Sequence, residues 1–219
     1  MIQPLDEQRL KAAVEKLATL DADIAAALPL VGQPAPRTRD PGFATLLRIV
    51  VAQQISTRAA AAIWGRLELA AGPVLSADSL LALSDAQFRT VGFSARKVEY
   101  ARDLARAVAE GRLDLDALAT CEEAELVAAI AALRGFGRWS AEIYGLFALG
   151  RVDIFPADDL ALQVAAMRLK RLPARPSAKA LRELAEAWRP VRGAAAVFLW
   201  HYYGGATLDE TVVPKPPHQ

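Results

Sequence analysis

Apolar residues recur at three- and four-residue intervals along nearly the whole chain, and alanine and leucine fill most of these positions. This spacing places apolar side chains on one face of a helix, and both residue types favour helices. Alternating β-branched runs, which would indicate strands, are absent apart from the short Ile49-Val50-Val51. The pattern therefore predicts an all-α fold.

Polar breaks divide this pattern into many short helices. Capping boxes at Ser84-Asp85-Ala86-Gln87 and Thr120-Cys121-Glu122-Glu123 mark two helix starts, because side chain and backbone satisfy each other's hydrogen bonds there. Breaks rich in glycine or proline occur at 32–41, 72–73 and 171–177. The predicted helices cover residues 6–18, 43–53, 57–70, 94–110, 122–133, 138–149, 159–170, 178–188 and 193–203.

Composition narrows the class of protein. With 219 residues, of which 53% are apolar, the chain can bury a large core. Cys121 is the single cysteine, which excludes an internal disulfide and any cluster held by several cysteines. The net charge of +1 says nothing about DNA, because phosphate binding depends on how charge is arranged locally.

The two ends of the sequence carry no targeting pattern. The N-terminus lacks the basic start and apolar run of a secretory signal, and no apolar stretch approaches the roughly 20 residues that cross a bilayer. A cytoplasmic protein is therefore expected. The terminal segment 214–219 holds three prolines, cannot pack as a helix and is expected to be mobile.

A Gly-x-Gly turn is the first candidate for chemistry. Gly135-Phe136-Gly137 lies between two helical patterns and is predicted to reverse the chain tightly. Glycine permits positive φ and close approach of backbone N–H groups, and the positive end of the next helix dipole lies nearby, so such a turn can bind phosphate. A helix cap followed by a packing glycine explains the same residues, and on the turn alone that interpretation is preferred. A dinucleotide-binding motif is excluded, since no strand precedes the turn and the third glycine is missing.

Two aspartates share a helix start further along the chain. Asp158 and Asp159 follow Phe155-Pro156-Ala157 and precede an amphipathic segment. One of them is explained as an N-cap that accepts backbone N–H groups. The other is surplus to capping, and a carboxylate fixed at the positive end of a helix suits a group that stabilises positive charge or orients a water.

A helix, a Gly-x-Gly hairpin, a second helix and an aspartate at the start of a third resemble the helix-hairpin-helix DNA glycosylase superfamily, in particular its 3-methyladenine DNA glycosylase II branch. Further motifs agree in order and spacing between Phe43 and Trp200. They are Gln53-Gln54-Ile55-Ser56, Gly92-Phe93-Ser94-x-x-Lys97, and Trp188-Arg189-Pro190-x-Arg192 leading to Leu199-Trp200.

The resemblance implies two helical lobes with an active-site cleft between them. Residues 43–150 would form the lobe with the hairpin, and residues 1–42 plus 151–219 the lobe with the catalytic aspartate. Because residues 1–42 leave no room for the additional N-terminal domain of larger bacterial members, a compact form is expected.

The implied activity is monofunctional hydrolysis of the N-glycosidic bond of alkylated bases in double-stranded DNA, after the base has been flipped out. The family pattern selects Asp159 as the catalytic carboxylate and leaves Asp158 as its neighbour and cap. Relatives that also cut the DNA backbone carry a lysine where this chain has Trp139, so no Schiff base is expected. A monomer without cofactor or catalytic metal is implied, with a structural monovalent cation held by carbonyls of the hairpin Arg134–Gly137.

The resemblance also suggests binding residues. Trp139 is the leading candidate for the base pocket, with Phe136 and Tyr144 as companions, although helix aromatics more often pack in the core. Val191 replaces a pocket tryptophan of some relatives, so their base-recognition geometry is not carried over. The candidates for DNA contact are Gly135, Gly137, Arg134, Arg138, Ser140, Gln53, Gln54, Ser56 and Lys97.

Three other functions fit parts of the pattern. A glycosylase of the same fold directed at uracil, mismatches or deaminated bases would keep the carboxylate and change the pocket. A non-catalytic helix-hairpin-helix module would bind DNA phosphates without using Asp159. A helical interaction protein would show no salt-dependent affinity for DNA. His201 and His218 are the only histidines and lie apart from the other motifs, so a histidine-based nucleophilic or metal site is not expected.

Overall fold

The computed structural model describes residues 2–72 and 74–205, and over these ranges the chain is helical without a strand. Two short 3-10 turns, Ala117–Ala119 and Glu186–Trp188, supplement the α-helices. In chain order the described α-helices are α1 (Glu7–Leu20), α2 (Ala22–Val31), α3 (Phe43–Ala52), α4 (Thr57–Ala71), α5 (Ala77–Leu81), α6 (Asp85–Val91), α7 (Ala95–Ala109), α8 (Glu123–Ala131), α9 (Arg138–Phe147), α10 (Leu160–Leu169), α11 (Ala178–Ala185) and α12 (Arg192–Gly205).

The predicted all-α fold is confirmed, and each of the predicted helices corresponds to an observed one. Helices α2 and α5 were not predicted from the pattern, and α6 was indicated only by the capping box at its start. Pro29 lies inside α2 and reads as a break in the sequence, and α5 is too short, at five residues, to display a helical period. The predictions for segment 214–219 and for His218 lie outside the described residues.

The two predicted capping boxes have different outcomes. The box at Ser84 and Gln87 is confirmed, because the Ser84 hydroxyl accepts from the Gln87 backbone N–H and the Gln87 side chain accepts from that of Ser84. The box at Thr120 is wrong. Helix α8 begins two residues later than that box predicts, with Glu122 as N-cap and the Glu125 carboxylate accepting from its N–H at 3.0 Å.

The chain divides into two compact units. Unit 1 is built from Arg39–Leu149 together with Ile2, and unit 2 from Gln3–Thr38 together with the described residues from 150 onward. Helices α3 to α9 therefore belong to unit 1, and α1, α2 and α10 to α12 to unit 2.

Each unit buries its own apolar core. In unit 1 the fully buried side chains come from most of its helices. In unit 2 the core includes α12, in which a run of small residues is followed by larger apolar and aromatic ones. None of the helices in the described ranges is both long and apolar enough to cross a membrane. The fully buried residues include Leu46, Leu47, Leu67, Leu80, Phe88 and Leu104 in unit 1, and Leu10, Leu17, Ile24, Trp188 and Phe198 in unit 2.

Candidate functional site

The Gly-x-Gly turn joins α8 to α9 in unit 1, and glycine is required at its first position. Gly135 has a φ of +81°, in the region that L side chains rarely adopt. A Cβ at Gly135 would also overlap the ring of Tyr100. Gly137 differs, since its backbone is extended with φ of −143° and a Cβ there would meet nothing within 4 Å.

The hairpin formed by residues 134–137 is braced by side chains of two other helices. The Gln53 side-chain amide donates to the Gly135 carbonyl at 2.7 Å, and the Asp103 carboxylate accepts from the Arg134 backbone N–H at 2.9 Å. These contacts join the end of α3 and the middle of α7 to the turn. Neither contact was predicted from the sequence, because the partners lie far apart along the chain.

The start of α9 presents backbone donors. Gly137 is its N-cap and no side chain caps the helix there. The first N–H groups of a helix have no partner within it and lie at the positive end of its dipole. Ser140, in this first turn, is buried, so the structure favours a contact through the backbone of this turn over one through the Ser140 hydroxyl.

The two arginines of the hairpin form ion pairs. Arg134 pairs with Glu99, and both side chains are largely exposed. Arg138 Nε donates to the carboxylate of Glu142 at 2.8 Å, and Glu142 is buried. Exposed ion pairs contribute little to stability, so Arg134 can exchange its carboxylate for a phosphate at small cost, whereas Arg138 is held more firmly.

The loop between α3 and α4 projects Gln54 and Ile55. Gln54 adopts a positive φ of 58° and is exposed, and the Ile55 side chain is 36% exposed. Ser56 is the N-cap of α4 and its hydroxyl accepts from the Ala59 backbone N–H at 3.2 Å.

Lys97 has a structural contact next to this loop. Its ammonium donates to the Val51 carbonyl at 2.6 Å, in the last turn of α3. Burial lowers the pKa of Lys97. The contact connects the start of α7 to the end of α3. Lys97 therefore has a structural role, and its contact with DNA stays a prediction.

Trp139 lines a cavity of about 320 Å³ in unit 1. Its other walls include the rings of Trp64 and Phe147 and the guanidinium groups of Arg39 and Arg48. Arg48 lies 3.7 Å above the centre of the Trp64 ring, a cation–π contact. An aromatic cavity of this size with few polar groups matches the character of small-ligand sites.

The two predicted companions of Trp139 are buried in unit 1. Tyr144 has no exposed surface, and its hydroxyl accepts from the Gly42 backbone N–H at 2.9 Å. Burial raises the pKa of Tyr144. Phe136 is 8% exposed. These positions favour a packing role for both, and neither side chain lines the cavity beside Trp139.

Asp159 starts α10 in unit 2 and is itself the N-cap. Its Oδ1 accepts from the backbone N–H groups of Ala161 at 3.0 Å and Leu162 at 3.1 Å, and from the indole N–H of Trp200 at 3.1 Å. The carboxylate is partly exposed. Because three donors from two helices meet at one oxygen, its orientation is fixed.

The prediction that Asp158 caps this helix is wrong. Asp158 is exposed, and its Oδ2 forms an ion pair with Arg182 at 2.9 Å. Capping needs the side chain that directly precedes the first helical residue, and Leu160 is that first residue. Asp159 therefore serves as cap and as candidate catalytic group at once.

Trp200 is a functional candidate that the sequence pattern did not reveal. Its ring is partly exposed, its indole N–H reaches Asp159, and the guanidinium of Arg37 lies 5.8 Å from its ring centre. A tryptophan in an apolar helical pattern gives no signal of a polar partner 41 residues away.

The segment that leads to Asp159 is held from three sides. Gln163, which is 8% exposed, donates its side-chain amide to the Ala157 carbonyl at 3.0 Å. The ring of Phe155 packs edge-on against Trp188 at 5.7 Å. The Asp159 backbone N–H donates to the Pro156 carbonyl at 2.9 Å. The approach to the carboxylate is thus fixed by packing and by hydrogen bonds.

The motif Trp188-Arg189-Pro190-x-Arg192 serves the same region of unit 2. Arg192, which is 5% exposed, makes hydrogen bonds with the Asp153 carboxylate and with Glu186. Arg189 also pairs with Asp153, at 2.9 Å. His201 is hydrogen-bonded to the Val31 carbonyl at 2.7 Å, which gives this histidine a structural contact.

Comparison with protein families places the chain. The model of the family described as "HhH-GPD superfamily base excision DNA repair protein" matches residues 47–190. The chain belongs to the HhH-GPD superfamily. The matched range includes the hairpin, the cavity residue Trp139 and Asp159.

Individual members of the HhH-GPD superfamily are similar over nearly their whole length. DNA-3-methyladenine glycosylase 1 of Schizosaccharomyces pombe is 31% identical over 211 residues, which are 91% of this chain and 90% of that protein. The crystal structure of a DNA-3-methyladenine glycosidase from Bacillus halodurans matches with a TM-score of 0.79 at 30% identity and covers 93% of each chain. The Schizosaccharomyces pombe enzyme Mag1 in complex with abasic DNA also gives 0.79 at 30% identity, over 86% of this chain and 95% of that one.

Proposed function

We propose that this protein is a monofunctional DNA glycosylase that hydrolyses the N-glycosidic bond of alkylated bases, of the 3-methyladenine and 7-methylguanine type, in base excision repair. The observation that carries the proposal is the fixed, partly exposed carboxylate of Asp159 within a chain of the HhH-GPD superfamily. The relatives described above are named 3-methyladenine glycosylases, which supports the choice of alkylated bases.

Binding to the DNA backbone is assigned to unit 1. The start of α9, which no side chain caps, offers backbone N–H groups to a phosphate, and the tight turn at Gly135 directly precedes it. Gln54 and Ile55 project from the neighbouring loop, where they would meet the duplex. We propose that residues 43–150 act as the DNA-binding lobe and that residues 1–42 with 151–219 carry the catalytic carboxylate.

Base recognition is assigned to Trp139 and its cavity. Alkylation at a ring nitrogen makes a purine cationic, which weakens the glycosidic bond and favours stacking on an aromatic face, worth roughly 0.5 to 2 kcal/mol. The base is unreachable inside a duplex, so the nucleotide must rotate out before it can enter a cavity.

Asp159 acts on the sugar. As the C1′–N bond breaks, its electron pair leaves with the base and the sugar becomes an oxocarbenium ion, whose positive charge a nearby carboxylate stabilises. A water then attacks C1′ through its oxygen and loses a proton, for which Asp159 is the available base. Trp200 fixes the carboxylate during both steps through its indole N–H.

No lyase step is proposed, because Trp139 stands where lyase-competent relatives carry the lysine that would attack C1′. A monovalent cation suits the donor set of the hairpin, since backbone carbonyls such as those of Leu133 and Gly135 each have two lone pairs and accept one hydrogen bond here. Such an ion would stiffen the turn, and the chemistry does not pass through it.

The test uses duplexes that carry methylated adenine or guanine, hypoxanthine, ethenoadenine or uracil, with freed bases and alkali-labile sites measured separately. We expect release of methylated bases by the wild type, no release by Asp159→Asn, and little change in DNA affinity. Asp158→Asn is the matched control. It should retain the activity, because the side chain of Asp158 is exposed and forms an ion pair with Arg182.

Three outcomes would contradict the proposal. Comparable release by Asp159→Asn and wild type would remove the carboxylate from the chemistry. Release of uracil alone would show that uracil, and not an alkylated base, is the substrate. Strand breaks without alkali would show a lyase step.

A further inference from the structure

A second cavity in unit 1, of about 470 Å³, is lined by residues of α6 and α7 and lies apart from the one beside Trp139. Three arginines face it, namely Arg89 from α6 and Arg102 and Arg106 from α7. Its volume is in the range of small-ligand sites. None of these arginines belongs to the motifs that support the proposed function.

Both carboxylates at this cavity already have cationic partners. Asp85 pairs with Arg102 at 2.8 Å, and Arg102 also donates to the Leu83 carbonyl at 3.1 Å. Glu99 pairs with Arg134 of the hairpin. The negative charge near the cavity is therefore neutralised by Arg102 and Arg134.

The guanidinium groups of Arg89 and Arg106 remain. Neither forms a hydrogen bond or an ion pair with any residue in the ranges that the structure describes, and both side chains are exposed. Two unbalanced positive charges at one concave site repel each other, and an anion held between them would remove that repulsion. Planar guanidinium groups bind phosphate oxygens with particular strength, often with two hydrogen bonds.

The remaining wall of the cavity is apolar. Phe93, which is 6% exposed, Ala95 and Val98 supply aromatic and aliphatic surface next to the arginines. This combination matches a sugar-phosphate unit, whose deoxyribose carbons can pack on apolar groups while its phosphate meets the cations. Because Glu99 lines the cavity and pairs with hairpin residue Arg134, the site is continuous with the phosphate-binding turn.

We propose that Arg89 and Arg106 form a second phosphate-binding site, which holds a phosphodiester of the DNA strand beyond the contacts of the hairpin. The choice of DNA as the polyanion rests on the proposed function. The contact carries no base information, because phosphates are the same at every step of the duplex.

The first test measures affinity for an undamaged duplex as a function of salt. Each phosphate neutralised contributes about 0.9 to the slope of log affinity against log salt. We expect Arg89→Ala/Arg106→Ala to lower that slope by about 0.9, because one phosphate contact is lost, and to weaken binding about tenfold at moderate salt. Arg89→Lys/Arg106→Lys should restore most of the slope, because the charge is kept.

Arg175→Ala is the matched control, since Arg175 is an exposed arginine of unit 2 outside the cavity. It removes one charge and should leave the slope unchanged. Thermal melting confirms folding, which neither exposed arginine is expected to affect. An unchanged slope in the double alanine variant, or an equal loss in the control, overturns the proposal.

A second measurement identifies the source of the phosphate. The Nε–H resonances of Arg89 and Arg106, assigned through the single alanine variants, are followed while duplex or inorganic phosphate is added. We expect shifts at micromolar duplex and only weak shifts at millimolar inorganic phosphate. Shifts with inorganic phosphate alone, or with neither, contradict a phosphodiester site.

Base release is assayed separately on the same variants. If the wild type releases no methylated base but the double alanine variant still shows a lower salt slope than the wild type, the arginine site is supported and the glycosylase proposal is contradicted. If the double alanine variant releases methylated bases and keeps the salt slope of the wild type, only the arginine site is contradicted.

Discussion

At the scale of single residues, Asp159 caps α10 and is also the proposed catalytic group. The sequence analysis assigned the cap to Asp158 and the catalytic role to Asp159. The capping bonds consume Oδ1 and fix the carboxylate, and Trp200 adds a donor from another helix. A group that must stabilise a developing charge gains from such fixing, because no reorganisation is needed as the reaction proceeds. Capping is thus part of how the proposed catalytic group is held.

Trp200→Phe removes the indole N–H and keeps an aromatic ring in place. Hydrogen bonds to charged groups contribute about 1.5 to 3 kcal/mol, so we expect a single-turnover rate of base release at least about tenfold lower, with an unchanged Kd for DNA. Rapid-quench assays at saturating enzyme measure the rate. An unaltered rate would mean that the bond does not orient the carboxylate.

Gly135→Ala and Gly137→Ala form a matched pair within one turn. At Gly135 a methyl group meets the Tyr100 ring and the φ is positive, so we expect a loss of about 2 to 4 kcal/mol in the free energy of unfolding. At Gly137 the added methyl meets open space, and the loss should stay below about 1 kcal/mol. Urea unfolding distinguishes them, and equal losses would refute the close approach of Tyr100.

At the scale of elements, the hairpin depends on its neighbours. The end of α3 contributes Gln53, and α7 contributes Tyr100 and Asp103. Lys97 in turn connects α7 to α3. Helices α3 and α7 therefore form one support for the hairpin, and the proposed phosphate-binding turn is as rigid as that support.

Gln53→Ala should loosen the turn without unfolding unit 1. It removes the amide that donates to the Gly135 carbonyl, and we expect about 1 kcal/mol lower stability with faster amide hydrogen exchange at residues 134–138. Gln54→Ala, one residue away and exposed, is the control and should change neither. If hydrogen exchange in the hairpin stays the same in both variants, Gln53 does not brace it.

Helical periodicity was sufficient to predict α1, α3, α4 and α7 to α12, since each buries an apolar face long enough to show a period. Helices α5 and α6 are too short to show a period, and Pro29 interrupts the pattern in α2. Local patterns also located the hairpin and the pair of aspartates. They could not assign which aspartate caps α10, nor find Trp200 as its partner, because those contacts depend on tertiary packing between distant segments.

At the scale of the whole molecule, a buried ionic cluster connects the early and late parts of unit 2. The Asp21 carboxylate, which is 8% exposed, caps α2 and accepts from Lys170 and from the Trp188 indole N–H at 2.6 Å. Burial alone would raise the pKa of Asp21, but the hydrogen bonds from Lys170 and Trp188 outweigh it and lower the pKa below its ordinary value. Burial would lower the pKa of Lys170, and its bonds to Asp21 and Asp23 raise it instead.

This cluster predicts the dependence of stability on pH. Because its folded pKa is depressed, Asp21 stabilises the fold above about pH 3.9, the ordinary value, and this contribution disappears as pH falls through the lower folded pKa. Lys170 stabilises below about pH 10.4, and its contribution disappears as pH rises through the raised folded pKa. Urea unfolding between pH 2 and 11 should show both losses.

Asp21→Asn should lower the free energy of unfolding at pH 7 by about 2 to 3 kcal/mol. It should also make that free energy fall less steeply as the pH drops below about 3.9. Asp158→Asn, which affects an exposed ion pair, should cost at most about 1 kcal/mol and leave the steepness at low pH unchanged. If the free energy of unfolding falls equally steeply at low pH in Asp21→Asn and in the wild type, the loss arises from other carboxylates.

The division of unit 2 into two separate stretches of chain has a consequence for biosynthesis. On the ribosome, α1 and α2 emerge before the helices of unit 1, yet α12, which packs against them, is translated only after those helices. Unit 1 is continuous apart from Ile2 and can acquire its structure while the nascent chain is still growing. The apolar faces of α1 and α2 therefore stay uncovered by α12 until the end of unit 2 has been synthesised.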